Sequence, residues 1–380
     1  MSWDLEAELE DLAGRHLLRR LTVRDRSAGL LNFASNDYLG LAQSEFLKQA
    51  LREGVERCGA GTGASRLVTG TTEVHRELEE GIAAFKQKPA ALTFSSGYAA
   101  ALGTITALVG PGDTLLIDKL SHASLIDAAR LSGATLRVFP HNHMGKLQAL
   151  LESTSAQSRR VLIVTESVFS MDGDIAPLQQ IIDLKERYGA WLLLDEAHAL
   201  GIMGPGGRGL AAELGLSGQV ELHLGTLSKA IGLSGGYLAA SRAVVDILIN
   251  RARSFIYTTA PPAAIAHAAM RAIDCLAGPE GDVRRQRLME NVHRLKTGLG
   301  CAIPTYLSAI HPQIVGEEAE ALRLAESLKA AGIVAPAIRY PTVPRGSARL
   351  RITLTADHRA EEISRLLTVM QENQRPPEPM

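Results

Sequence analysis

The sequence predicts an α/β protein built on a mostly parallel central sheet, and three observations carry that prediction. Apolar runs such as "RVLIVTES" (160–167) and "AWLLLDEA" (190–197) are continuous, as in strands covered on both faces. From residue 75 onward such runs alternate with helical segments, the order expected of βα units. The chain has 380 residues, 46% of them hydrophobic, which supplies a sizeable core and exceeds the usual single-domain length.

Taken in order, residues 3–20 read as an amphipathic helix carrying Trp3, Leu5, Leu9, Leu12 and Leu17 at three- and four-residue steps. "LLNFASNDYLGLA" (30–42) gives a short strand and turn. A helix over 44–57 then runs into the glycine-rich "CGAGTGASRLVTGTT". A helix at 75–87 precedes the strand "AALTFSS" (90–96), and a helix spans Gly97 to Leu108. "DTLLID" (113–118) is a strand, "SHASLIDAARLSG" a helix and "TLRVFP" a strand. The helix at 177–188 separates the two long apolar runs, and "ELHLGTL" and "GGYLAAS" add two strands. "APP" (260–262) opens an Ala-rich helix that leads out of this domain. The remainder, with the strand-like "ARLRITLT" (348–355), reads as a smaller α+β domain, and the tail "QRPPEPM" reads as frayed. The expected division is an N-terminal segment 1–42, a large domain 43–270 and a small C-terminal domain 271–380.

Composition excludes several functions. Forty basic residues oppose forty-one acidic ones, so no global field favours nucleic acid or an anionic membrane. Cys58, Cys275 and Cys301 are sparse and odd in number, against a disulfide scaffold. No apolar run approaches the roughly 20 residues that span a bilayer, and the N-terminus has no signal-peptide core. The expectation is a soluble, cytoplasmic protein.

Three motifs are decoys. "GAGTGA" (59–64) fits a dinucleotide fingerprint, but a charged helix precedes it where a strand is required. "GLSGG" (232–236) fits the hydrolase elbow, but a strand rather than a helix follows Ser234. "HNH" (141–143) has no further His or Cys nearby to complete a metal site. It reads as a surface turn, and no metal is expected.

Chemistry in a parallel α/β sheet lies outside the carboxyl ends of the strands. Collected there are Ser96-Gly97-Tyr98 at a helix start, His122, Ser170, Asp195, His198, Thr226 and Lys229. Lys229 stands in "HLGTLSKAIGLSGGYLAAS" (223–241), without a close charged neighbour until Arg242. An amine in such an apolar setting loses affinity for its proton. Glycines 225, 232, 235 and 236 around it suggest close backbone approach. This set fits pyridoxal phosphate: an amine for its aldehyde, a buried carboxylate for its ring nitrogen, a flat partner in His122, and a helix N-terminus with Thr226 for its phosphate.

"SNDYLGL", "GTGASRLVTG", "SSGYAAALG", "SHASLID", "ESVFSMDGDIAPL", "DEAHALGIMGPGGRG", "GTLSKAIGLSGG" and "RSFIYTTAPPA" occur in order along the chain. With "PTVPRGSARLRITLTADH" they make it resemble the α-oxoamine synthases. The resemblance implies the aspartate-aminotransferase-like fold (fold type I) and pyridoxal 5'-phosphate. It makes Lys229 the Schiff-base lysine, Asp195 the partner of the ring nitrogen and His122 the stacking residue. His198 and Ser170 would lie near the cofactor's phenolic oxygen, Gly97 and Tyr98 at the cofactor site, and Thr226 on the phosphate. Thr342 and Arg339 would lie on the substrate side, with Arg19, or in its place Arg20, as a further substrate contact. A homodimer with shared sites is implied, with Thr258 and Thr259 reaching the neighbour's phosphate and Asn36 near the interface. "AIRYPTVPRGSARLR" most resembles the branch that condenses L-alanine with a pimeloyl thioester, releasing CO2, on the way to biotin. A glycine-using sibling, a silent pyridoxal-phosphate-binding regulator and a Ser234 hydrolase are the rivals.

Overall fold

A computed structural model describes residues 3–21, 23, 29–154 and 157–374. The first strand, β1 (Leu31–Asn32), is short. Seven further strands form one sheet: β2 (Ala90–Phe94), β3 (Thr114–Asp118), β4 (Thr135–Phe139), β5 (Val161–Glu166), β6 (Trp191–Asp195), β7 (Leu222–Thr226) and β8 (Gly236–Ala240). Their order is β2-β8-β7-β6-β5-β3-β4. β4, β3, β5, β6 and β7 run parallel, and β8 is antiparallel to both of its neighbours. Each of β2, β3, β5, β7 and β8 is buried along its whole length, the reason for their unbroken apolar reading. Leu115, Leu162, Leu193 and Leu224 pack with the helices Gly97–Leu108, Ala123–Leu131 and Arg242–Arg251 in a single core cluster. Strands and helices fall within a few residues of the sequence reading, because an apolar run and a cap residue set each locally.

The remaining strands belong elsewhere. β9 (Ile310–Gly316), β11 (Ala337–Ile338) and β12 (Ala348–Thr353) make a three-stranded antiparallel sheet with β12 at its centre. β10 (Ile333–Val334) pairs in parallel with β1.

The chain divides into two compact units: residues 36–170 with 174–287, and residues 1–35 with 171–173 and 288–380. This corrects the expected three-way division. The N-terminal segment is not separate, because Leu31 and Asn32 pair with Ile333 and Val334 and Phe33 stacks on His358 at 4.2 Å. The Ala-rich helix Ala263–Ala277 stays with the first unit, so that the boundary falls at 287 rather than 270.

One other expectation changes, and one falls outside the described residues. The N-terminal helix covers Leu5–Gly14 only, and none of its residues is buried. It stops at Gly14, and the amides of Leu17 and Leu18 turn back onto the carbonyl of Leu12. The tail beyond Gln374 lies outside the described residues. "HNH" is the turn expected after β4, and within it His141 donates to Asp118 at 3.1 Å and to Asp174 at 2.7 Å, edge-on to Phe169. Burial lowers its proton affinity, but the two carboxylates outweigh burial and raise its pKa to about 10. Among the described residues no acidic, Cys or His cluster is arranged to hold a metal ion, and no helix is long and apolar enough to cross a membrane.

A buried ionic knot lies under the end of β6. Glu196 accepts from Lys86 at 2.5 Å, and its second interaction is with His223 at 2.8 Å; all three side chains are fully buried. The backbone amide of Ala211 donates to its other oxygen. Burial alone would raise the Glu196 pKa; Lys86 and His223 overcome that and lower it to about 2. Its folded pKa is therefore below the unfolded one, so the knot stabilises above pH ~4.5 and is lost as pH falls toward 2. Glu196→Ala, which strands a buried ammonium, is expected to cost about 3–5 kcal/mol in urea unfolding at neutral pH. A loss under about 1 kcal/mol would contradict this placement.

Candidate active site

The carboxyl ends of β2, β3, β5, β6 and β7, with the start of β8, open onto a cavity of about 250 Å³. Gly97, Tyr98, His122, Asp195, His198, Thr226 and Lys229, seven of the residues expected at the cofactor, line it. Each is placed by a local rule. Ser96 caps the helix Gly97–Leu108 by accepting from the amide of Ala99 at 3.0 Å, which aims that helix's N-terminus into the cavity. Thr226, the last residue of β7, turns its hydroxyl to Gly235 O at 2.8 Å and Ser228 Oγ at 2.7 Å.

The glycines were expected to allow close approach, and Gly225, Gly232 and Gly236 do so against the protein's own chain. A Cβ on Gly236 would lie 2.4 Å from the carbonyl oxygen of Ser96, and one on Gly225 would lie 2.4 Å from the Tyr237 ring. Glycine there lets β8 and β2 close behind the cavity.

Lys229 Nζ stands 2.7 Å from His198 Nε2, and His198 Nδ1 stands 2.6 Å from the Tyr38 hydroxyl. Tyr38 is also 3.2 Å from Asn36 Oδ1. One hydroxyl proton cannot serve both bonds. A consistent order has Nδ1–H donate to Tyr38, Tyr38 donate to Asn36, and the bare Nε2 accept from Nζ. Asn36 thus joins the chain that ends at Lys229. Tyr38 was quoted in "SNDYLGL" without a role; only its pairing with His198, 160 residues away, gives it one.

Asp195 and Glu166 end adjacent strands in register. Burial raises the proton affinity of both, Asp195 raises that of Glu166 further, and Lys229 lowers both. Asp195 also accepts the amide of Ala197 at 2.9 Å, and its shift is the smaller. We therefore place the negative charge on Asp195 and the proton on Glu166. Glu166 accepts the backbone amide of His122 at 2.5 Å and so fixes the loop that carries the imidazole. Burial, then Lys229, keep His122 neutral against the pull of Asp195. Sequence reading missed Glu166 because an acid inside "VTES" looks like any strand-end residue.

Other expected residues are placed differently. Ser170 is buried on the turn after β5, whose Val168 bridges Ile175, and is not among the residues lining the cavity. Thr258 and Thr259 are also outside the lining, and Thr259 bridges Ser65. In the other unit, Arg19 donates to Thr342 at 3.0 Å and Arg339 donates to the carbonyl of His16.

The family model for class I and II aminotransferases matches residues 28–370. A protein named 8-amino-7-oxononanoate synthase from Herminiimonas arsenicoxydans is 46% identical over 361 residues, 93% of this chain and 91% of its own. The chain belongs to the 8-amino-7-oxononanoate synthase family. A crystal structure of a synthase of that name from Francisella tularensis superposes with a TM-score of 0.78 at 30% identity, covering 90% of this chain and 97% of the other. Serine palmitoyltransferase from S. paucimobilis, solved with a bound PLP-myriocin aldimine, gives a TM-score of 0.89 at 30% identity, covering 97% and 96%. Membership makes the chain a pyridoxal-phosphate-dependent acyltransferase with the fold type I architecture expected from its sequence.

The cavity fits that cofactor. It is lined by the start of the helix Gly97–Leu108 at Gly97 and Tyr98, by the buried carboxylate of Asp195, by the amine of Lys229 and by the imidazole of His122. Glu166→Gln provides a test of the charge placement. The raised folded pKa of Glu166 means that wild-type stability falls as pH rises through its unfolded value of ~4.5. The amide variant is expected to lose that fall and to melt higher than wild type at neutral pH in the cofactor-free protein. A lower melting temperature would show that Glu166 is the ionised partner.

Proposed function

We propose that this chain condenses L-alanine with a pimeloyl thioester, whose carrier is coenzyme A or a carrier protein, to give 8-amino-7-oxononanoate, the free thiol and CO2 in biotin biosynthesis. The observation that carries this reading is the meeting of Lys229, His198, Asp195 and His122 around one cavity. Bound there, pyridoxal phosphate would draw electrons from the amino acid's Cα.

The chain's own residues do the rest. Lys229 offers the amine that takes the cofactor's aldehyde. When not holding the cofactor, Nζ would serve as the base for the Cα proton, a role worth ~10²–10⁴-fold. His198, bonded to Nζ, fixes where that amine points, and Tyr38 with Asn36 fixes His198. Asp195, anionic and buried, holds the proton on the ring nitrogen. His122, neutral and anchored through Glu166, is placed to lie against the ring and to donate to the substrate's carboxylate or new carbonyl. The helix N-terminus at Gly97 and Tyr98, with Thr226, takes the phosphate. The cofactor would supply the activation of that carbon for attack on the thioester carbonyl, with release of the thiol and then of CO2 from the β-keto acid.

Ser170 is assigned to the cofactor's phenolic side, and Thr342, Arg339 and Arg19 to the acyl substrate. Arg19 donates to the Thr342 hydroxyl and the Thr342 amide donates to the Arg339 carbonyl, which supports treating the last three as a group. We also propose a homodimer in which Thr258 and Thr259 serve the neighbour's phosphate. Both are near the surface and do not line their own chain's cavity.

Lys229→Ala is expected to abolish turnover and the visible absorption band of the bound cofactor; an unchanged spectrum would remove the assignment. Asp195→Asn is expected to retain cofactor but lose at least ~10²-fold in kcat, because an amide cannot hold the ring proton. A rate near wild type would refute that role. Assays of L-alanine against glycine with a panel of acyl thioesters distinguish this reading from the glycine-using one.

A further inference from the structure

On the opposite rim of the central sheet, at the amino ends of β5, β6 and β7, lies a second cavity of about 520 Å³. It falls in the ~300–1,000 Å³ range of small-molecule sites, and none of its lining residues belongs to the catalytic cavity. Leu108, Leu162, Trp191, Leu222 and Ile247 form its walls. Trp191 is 46% exposed although the rest of β6 is buried, and Ile247 is 37% exposed, so two large apolar side chains face this space open to solvent.

The polar groups at its mouth have one sign. Arg159 and Arg160 both line it, and no acidic residue does. Arg159 is neutralised: its guanidinium makes two bonds, at 2.9 and 2.8 Å, to the buried carboxylate of Asp113. Arg160 donates to the carbonyl of Leu108 at 2.9 Å and shares the field of Asp113 with Arg159, so two guanidiniums meet one buried carboxylate and the mouth keeps a net positive charge. Across the mouth, Ser241 caps the ten-residue helix Arg242–Arg251, and that helix's first turn, Ala243 and Val244, also lines the cavity. A guanidinium and a helix N-terminus facing one apolar pocket favour an anion attached to a hydrocarbon body.

We propose that this cavity binds an amphipathic monocarboxylate: a carboxylate head against Arg160 and the start of helix Arg242–Arg251, with an alkyl or aryl tail against Trp191 and Ile247. This site is independent of the catalytic assignment, since it shares no residue with it.

Trp3 and Trp191 are the two tryptophans in the sequence, so Trp3→Phe leaves Trp191 as the sole reporter. In that holoenzyme, titration with octanoate at constant ionic strength is expected to change Trp191 emission in a saturable way. Acetate, which lacks the tail, and octylammonium, which reverses the charge, are expected to leave it unchanged. Arg160→Glu should weaken octanoate binding by at least about tenfold while leaving basal turnover unaltered. Ile247→Asp, at an exposed wall position, should do the same without touching the guanidinium. No saturable response to octanoate would overturn the proposal. So would an equal response to octylammonium, or octanoate binding that persists unweakened in both folded variants.

Discussion

A carboxylate buried at the end of a strand is costly unless positive charge is brought to it, and the first unit is arranged around that demand at Asp195. Three parallel strands end together, so Glu166, Asp195 and the Leu224–Thr226 stretch arrive at one rim in register. Lys229 follows β7 by three residues and is held by His198, which follows β6 by three. The amine and the acid are therefore positioned by backbone pairing before any side chain chooses a rotamer. With two carboxylates in one desolvated space only one retains its charge. Asp195 keeps it, with Lys229 and then the Ala197 amide opposing the effect of burial.

The knot beneath serves the same end. Glu196 points away from the cavity, in the opposite sense to its neighbour Asp195, as alternation along an extended chain requires. There it gathers Lys86, His223 and the Ala211 amide. The strand end is thus tied on both sides: to the rim chemistry through Asp195 and to the core through Glu196. A rigid support of this kind is what a proton-holding group needs, since the positions of its partners set its proton affinity.

The central sheet was legible because each strand is an uninterrupted apolar run ended by a polar residue, and each helix start carries its own cap. The rim residues were legible for the same reason: Gly97, His122, Asp195, His198, Thr226 and Lys229 each follow such a run. What sequence could not reveal depends on distant pairing. β1 joins β10 across about three hundred residues, and no local signal in "LLNFAS" announces it. His141 is a turn residue as read, but nothing local shows that Asp118 and Asp174 close on it from 23 and 33 residues away. Glu166 and Tyr38 acquire roles only through His122 and His198. The apolar face of the N-terminal helix predicted burial that the chain itself does not supply.

The account stands on Lys229 being the amine that receives the cofactor's aldehyde. Borohydride reduction of the holoenzyme, followed by digestion and mass mapping, reads that bond directly. The account predicts the reduced pyridoxyl group on Lys229 alone. Recovery of the label on another lysine, such as Lys119 or the buried Lys86, would contradict it.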